Sequence, residues 1–349
     1  MLSWEEVASC ATLSKVSGAH VRFTCLDAFG DRVAMGANTG SMYLYRRANF
    51  QAVPGSGTET KEACAESRLH LIRIFYKQDG ENLGFTPNFE GSLSSMYGKL
   101  VRQARPASVQ EGDALVGVKL SPLGDMCATA NKRGLVSIFS LGGKRDAPLK
   151  VTVIPEAHRG EVVTAIEWSC DGRSCFIGDG KGTVTVTTIK CASGSKNSAS
   201  QHAEADVTSV TLKVAGPVVQ LSACPDNDLV LVSTRASSFL LCLKTFVFSN
   251  VGSKPRDGAF GAVFHAAAAA AAPVPAPGTE FGEASSPNRW LLAARPGRRL
   301  WLVHAGEKAA HGVANVSAGK NNAVRATLRL ASLPVAAAIP WTHKNTETS

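Results

Sequence analysis

Cys175-Phe-Ile-Gly-Asp-Gly-Lys-Gly182-Thr-Val-Thr-Val-Thr187 is an apolar stretch, a glycine-rich turn and an alternating stretch, in that order. A period of two places every second side chain on one face of an extended chain, and glycine supplies a positive φ without steric cost, so the phrase predicts a β-hairpin. It recurs. Val33 to Tyr45, turning at Gly40, and Cys127 to Phe139, turning at Gly134, are two further copies. Two weaker ones follow: Leu229 to Cys242, with Ser237 at the glycine position, and Trp290 to Leu302, whose turn carries Pro296-Gly297. With turns at 40, 134, 182, 237 and 298, the intervals are 94, 48, 55 and 61 residues. They are close to a four-stranded propeller blade with variable loops, and too long for a leucine-rich or ankyrin repeat.

Each hairpin has a strand before it: Val21 to Leu26, Leu115 to Leu120, Val162 to Trp168, Val218 to Leu221 and Gly261 to Phe264. The connecting turns, Phe29-Gly30-Asp31, Ser121 to Asp125, Ser169 to Arg173 and Cys224 to Asn227, are built from residues that impose or tolerate turn dihedrals. A blade cannot bury both faces alone, so blades stack and share apolar layers. The fold class expected is all-β, a WD40-like β-propeller with degenerate blades, five of them clear and up to seven in all. The propeller spans 21–341, between a lead-in at 1–20 and a disordered tail at 342–349. Three insertions are expected. Residues 48–110 are rich in Gly, Ser and Glu and read as a surface insertion in preference to a strand of an extra blade. Residues 191–206 are Ser/Ala/Lys-rich, and 265–289 combine an alanine tract with Pro-Val-Pro-Ala-Pro-Gly. Val324 to Leu330 reads as a late strand.

Composition bounds the function. The chain has 349 residues, 44% hydrophobic and 19% charged, with a formal charge of +9, enough apolar matter for a sizeable core and a modest basic surplus. Nine scattered cysteines without a CxxC suit a reducing compartment, and the start lacks the pattern of a secretory signal. No run approaches the roughly 20 apolar residues of a membrane-crossing helix. The histidines are dispersed, so no metal site and no cofactor are expected. No GxSxG elbow appears, and Gly178 to Gly182 joins two strands where a phosphate loop would open a helix, so no catalytic residues are assigned. The densest basic cluster is Arg289, Arg295, Arg298 and Arg299. Its plainer fate is a solvated turn in which Arg295 or Arg298 packs on Trp301; its functional fate is a contact to an anionic partner through Arg295, Arg298 and Arg299. No nucleic-acid module accompanies the charge.

His158-Arg-Gly-Glu-Val162-Val-Thr-Ala-Ile166-Glu-Trp168-Ser-Cys-Asp171-Gly172 resembles the opening of a WD40 repeat. The network of that family is incomplete here: Lys181 stands at the turn aspartate and Thr187 at the closing tryptophan, with Asp179 two residues before Lys181. The chain also resembles a narrower group, the amino-terminal propellers of the Hermansky-Pudlak syndrome 5 protein and of tectonin beta-propeller repeat-containing protein 2. The likeness rests on Leu26 to Gly36 with Tyr43-Leu-Tyr45, Val218 to Leu221 with Leu231 to Thr234, Gly252 to Arg256 with Phe260 to Phe264, and Ala294 to Gly297 with Leu300-Trp301. It implies a cytoplasmic, non-enzymatic scaffold whose partners are trafficking or autophagy proteins, peripheral on endomembranes. One relative belongs to a complex that builds lysosome-related organelles. The other acts in autophagy and export from the endoplasmic reticulum. Those relatives carry long carboxy-terminal regions and propellers of about seven blades, so partner motifs housed in those regions are not carried over to this chain, and the resemblance leaves the number of blades open. The alternative is a basic propeller that binds membrane surfaces or phosphoinositides; an enzyme with an unrecognised site is a third reading.

Overall fold

The computed structural model describes residues 21–47, 69–75, 84–85, 114–141, 151–154, 157–190, 206–255, 258, 261–264, 290–295, 299–305 and 324–329. All regular structure among them is β-strand. The lead-in at 1–20, the tail at 342–349, nearly all of the 191–206 segment and the whole of 265–289 lie outside the described residues.

Five antiparallel meanders follow one another along the chain. The first comprises β1 (Phe23–Phe29), β2 (Arg32–Ala37), β3 (Met42–Arg47), β4 (Leu69–Phe75) and the short β5 (Gly84–Phe85). The second is β6 (Leu115–Leu120), β7 (Met126–Asn131), β8 (Val136–Ser140) and β9 (Val151–Ile154), and the third is β10 (Val163–Trp168), β11 (Ser174–Asp179), β12 (Thr183–Lys190) and β13 (Asp206–Lys213). The fourth is β14 (Val218–Ala223), β15 (Leu229–Thr234), β16 (Ser238–Cys242) and β17 (Phe248–Asn250), and the fifth is β18 (Ala262–Phe264), β19 (Trp290–Arg295), β20 (Arg299–His304) and β21 (Val324–Arg329). Within every sheet, spatial order equals chain order, as in a propeller blade. The protein is all-β, of the WD40-like β-propeller class, and five blades are present among the described residues.

One departure from the sequence reading concerns 48–110. Leu69–Phe75 neither opens an extra blade nor sits in a loop: it is the fourth strand of the first blade, pairing Met42 to Phe75 and Arg47 to Leu69, with a bulge at Leu44/Tyr45. Its partner strand lies across a long intervening segment, so the apolar run Leu69 to Phe75 marks a strand without marking the sheet that receives it.

Contacts divide the chain into two units, Met1–Val162 and Val163–Ser349. In the first unit, Ala34, Met42, Leu44, Leu115, Val118, Leu120, Cys127 and Phe139 form one buried layer joining the first two blades. In the second, Phe176, Val184 and Val186 of the third blade meet Val218, Leu221, Val230, Val232 and Leu241 of the fourth. The fourth blade's other face, with Leu229, Leu231 and Leu240, meets Ala262, Phe264, Leu291, Ala293 and Val303 of the fifth.

The same local devices recur from blade to blade. A bulge interrupts the first strand pair near its start in four blades, between Phe23/Cys25, Leu115/Gly117, Val163/Ala165 and Val218/Gln220. Where the extra residue is threonine it pins the next blade. The Thr24 hydroxyl lies 2.6 Å from the Leu115 carbonyl and 3.1 Å from that of Gly36, and the Thr164 hydroxyl 2.6 Å from Val218 and 3.2 Å from Gly178. The glycines are part of the joint: a Cβ on Gly178 would stand 2.5 Å from Cγ1 of Val218. Between the fourth and fifth blades polar groups do this work. The Ser233 hydroxyl accepts the Ala262 amide at 3.0 Å and the Gln220 side chain accepts that of Gly261 at 2.8 Å.

Candidate interaction surface

The turns at the two ends of each blade carry the variable chemistry. At one end, three six-residue connections share a single design. Ser121, Ser169 and Cys224 open them, each donating its backbone N–H to the carbonyl of the residue five positions on. The fourth position is left-handed, with φ of 70° at Gly124, 67° at Gly172 and 57° at Asn227. The opening side chain braces the turn: the Ser121 hydroxyl donates to Asp125 at 2.7 Å, and the Ser169 hydroxyl to Asp171 at 2.6 Å. In the fourth blade the brace is a thiol. Cys224, Asp226 and Asp228 place one ligand atom each within 4.8 Å of the others, the spacing of a metal site. The thiol bonds to Asp228, the counterpart of Ser121 to Asp125, and burial and the neighbouring carboxylates push it up to about 12. The cluster stands where the sister turns have their serine–aspartate brace. The sequence signal for it was the alignment of Cys224 with Ser121 and Ser169.

This end differs between the two units. In the first, Phe29 is 48% and Leu123 65% exposed, beside Arg32, whose guanidinium donates to the Gly124 carbonyl, and the Arg46–Asp31 pair at 2.7 Å. In the second, the corresponding turns carry Asp171 and Asp226, and Asn227 accepts the Asp171 amide at 3.3 Å, joining neighbouring blades. Cys170 is exposed there. Partial burial first, then Glu167, Asp171 and Asp226, raise its thiol above the ordinary range.

At the opposite end lie the hairpin turns. Asn131 and Asp179 hold theirs through one side-chain oxygen each, which accepts the amides of Arg133 and Leu135 at 3.0 and 2.9 Å, and of Lys181 and Thr183 at 2.9 and 2.8 Å. Asp179 therefore fixes the turn that Lys181 cannot. Thr187, at the position of the WD40 tryptophan, is buried and hydrogen-bonds Ser209 of β13 at 3.1 Å.

The fifth blade's hairpin carries the arginines singled out by the sequence. Arg295 is only 6% exposed, which removes its guanidinium from the surface where an anionic contact had been expected. Its Nη atoms donate to the Val251 carbonyl at 3.2 Å and the Lys254 carbonyl at 2.8 Å, and its Cζ stacks 4.6 Å from the Trp301 ring centroid. The stem and planar head fill the gap between β19 and the loop after β17, at the edge of the apolar layer shared by these blades. Burial, and secondarily Arg299, lower its proton affinity. Arg299 is exposed; Arg289 and Arg298 lie outside the described residues.

No protein-family model matches the chain. Among solved structures, Sqt1 from Chaetomium thermophilum is similar at a TM-score of 0.46 and 15% identity, over 88% of this chain and 58% of that one. No helix among the described residues is long and apolar enough to cross a membrane. By sequence, the BLOC-2 complex member HPS5 homolog of Drosophila melanogaster is 22% identical over 81% of this chain and 25% of its own length. Human tectonin beta-propeller repeat-containing protein 2 is 26% identical over 80% of this chain and 15% of its own. The chain thus spans a quarter or less of these relatives. Its curated homologues are HPS5 and tectonin beta-propeller repeat-containing protein 2, related at low identity over much of its length.

Proposed function

We propose that the chain is a non-catalytic protein-interaction scaffold, cytoplasmic and peripheral on endomembranes, that serves traffic to lysosome-related organelles within a BLOC-2-like assembly. The observation that carries this reading is the extended similarity to BLOC-2 members across four fifths of the chain, which runs through the blades. The geometry is in keeping with it. Side chains that would otherwise look chemical, Cys224 with its carboxylates and Arg295 with its ring, are spent on bracing turns and joining blades. The residues left at the blade ends differ in character from unit to unit, apolar at Phe29 and Leu123 and acidic around Cys170, as surfaces selecting different partners would. A role in autophagy, by way of the tectonin relative, is the finer alternative.

The test is affinity purification of the tagged full chain from cells of its source, followed by size-exclusion chromatography. Co-elution with the remaining BLOC-2 subunits is the expected result. Elution at monomer size, with none of them recovered, refutes the proposal, and recovery of autophagy components alone transfers it to the tectonin branch.

A further inference from the structure

The outer margin of a blade is a row of backbone N–H and C=O groups, and folded proteins keep such edges short, bulged, covered or charged because a bare one pairs with another strand. The outermost strands of four blades follow that rule. In the first, β4 is bulged against β3 at Leu44/Tyr45 and has β5 beyond it. In the second and fourth, β9 has four residues and β17 three. In the fifth, β21 is bulged against β20 at Leu302/Val303.

The third blade departs from it. β13 is the last strand of its sheet among the described residues, and all eight of its residues, Asp206–Lys213, pair with β12 in one unbroken register. Its interior, Val207 to Leu212, holds no charge and no proline, and Thr208, Ser209, Val210 and Thr211 are all exposed. Val210, 37% exposed, ends a row of directly opposed residues that starts at Phe176 and runs through Val186. Phe176 and Val186 are buried in the apolar layer toward the fourth blade, and Val210 carries that row out to solvent.

We propose that β13 is a self-association edge, to which β13 of a second copy of this chain adds antiparallel about a two-fold axis at Val210. An antiparallel pair is two-fold symmetric only about directly opposed residues, so in a dimer of identical strands one residue must face its own copy. With Val210 in that place, the row Phe176, Val186, Val210 continues into the same three residues of the second copy in reverse order, and the exposed valine is covered. The remaining pairs are Ser209 with Thr211, Thr208 with Leu212 and Val207 with Lys213, none of them like-charged. Parallel pairing would set two Lys213 ends together. Antiparallel pairing sets each beside Val207 and occupies the same edge on both copies, which closes the assembly at a dimer. The inference stands apart from the scaffold reading, since it concerns how the chain meets itself.

Sedimentation equilibrium of the full chain over a wide concentration range tests it. One strand pair makes an interface under about 1,200 Å², in the class of weak contacts, so a monomer–dimer equilibrium with a Kd on the order of 100 μM is expected. Val210→Lys sets like charges opposite each other at an exposed position and should weaken association about tenfold or more. Val247→Lys, at an exposed valine of the fourth blade, should leave it within about twofold. Urea midpoints of both variants check that the fold is intact. Cys170 is exposed, so cross-linking uses a Cys170→Ser background: Val210→Cys should give a disulfide-linked dimer with oxidised glutathione, because directly opposed residues lie within disulfide reach, and Val247→Cys should not. A parent chain that is monomeric at every concentration overturns the proposal and leaves the edge to a strand of another protein. A mass that grows beyond the dimer, association unchanged by Val210→Lys, or a dimer that Val210→Cys fails to cross-link overturns it as well. Co-purification of BLOC-2 subunits is read separately, so any of these results leaves the scaffold reading standing.

Discussion

Replacing Gly178 by alanine tests the joint between the third and fourth blades. The added Cβ would sit 2.5 Å from Cγ1, 3.0 Å from Cβ and 3.3 Å from Cγ2 of Val218. Val218 is fully buried, and its carbonyl is tied to the Thr164 hydroxyl at 2.6 Å, so β14 cannot retreat without loosening that bond. Overpacking of this kind costs about 1–3 kcal/mol, against which alanine recovers about 0.5–1 kcal/mol of backbone entropy. A net loss of roughly 1–2 kcal/mol follows, or a fall in Tm of about 2–4 °C for each kcal/mol. Val218→Ala alone removes two methyl carbons, worth about 1.6 kcal/mol by transfer, and leaves a cavity. In the double variant the alanine methyl at 178 fills that space, so the pair should be more stable than the sum of the singles by about 1 kcal/mol. Urea unfolding followed by tryptophan fluorescence, to which buried Trp168 of the third blade contributes, measures each variant. An unchanged midpoint for Gly178→Ala, or strict additivity in the cycle, would refute the close approach of β11 and β14.

Two glycines of similar φ should part company: Gly30→Ala, with open space around it, is expected to cost only the left-handed strain of about 1–2 kcal/mol. Gly182→Ala would also drive a methyl against the Val214 and Gly216 carbonyls, and differential scanning calorimetry should show at least twice the loss. Thr164→Val should cost about 1 kcal/mol by removing the pin between blades, read in the same urea series. Cys224→Ser should stay within about 1 kcal/mol of the parent, because serine already braces the sister turns, whereas Cys224→Ala should cost more by stranding Asp228. Cys170, although exposed, should react with iodoacetamide more slowly than a free thiol near neutral pH: its raised pKa leaves less thiolate there, and the deficit should close as pH climbs through that value. Reaction at the free-thiol rate at neutral pH would contradict the acidic surroundings assigned to it.

Much of the candidate surface was legible as residues but not as roles. Arg295 and Trp301 stood out by composition, and their stacking was one of two fates open to them. Which arginine turns inward depends on the register of β19 against β20, and on a loop contributed by the preceding blade. Cys224, unremarkable alone, became interpretable only beside Ser121 and Ser169 in the same turn geometry. Leu123 gave no signal at all, because its significance lies in standing exposed where the sister turns carry Asp171 and Asp226.

What the sequence determined by itself was the succession of hairpins: Gly40, Gly134 and Gly182 all have positive φ, and the apolar alternation around them specifies strands, because turn dihedrals and side-chain period act between near neighbours. Only the tertiary structure decided which sheets receive the outer strands Leu69–Phe75 and Asp206–Lys213, whose partners lie across long intervals of chain. It alone decided, too, that Gly178 is a contact between blades and that Arg295 is buried, since burial is a property of what another segment places alongside, and no local stretch of chain contains that information.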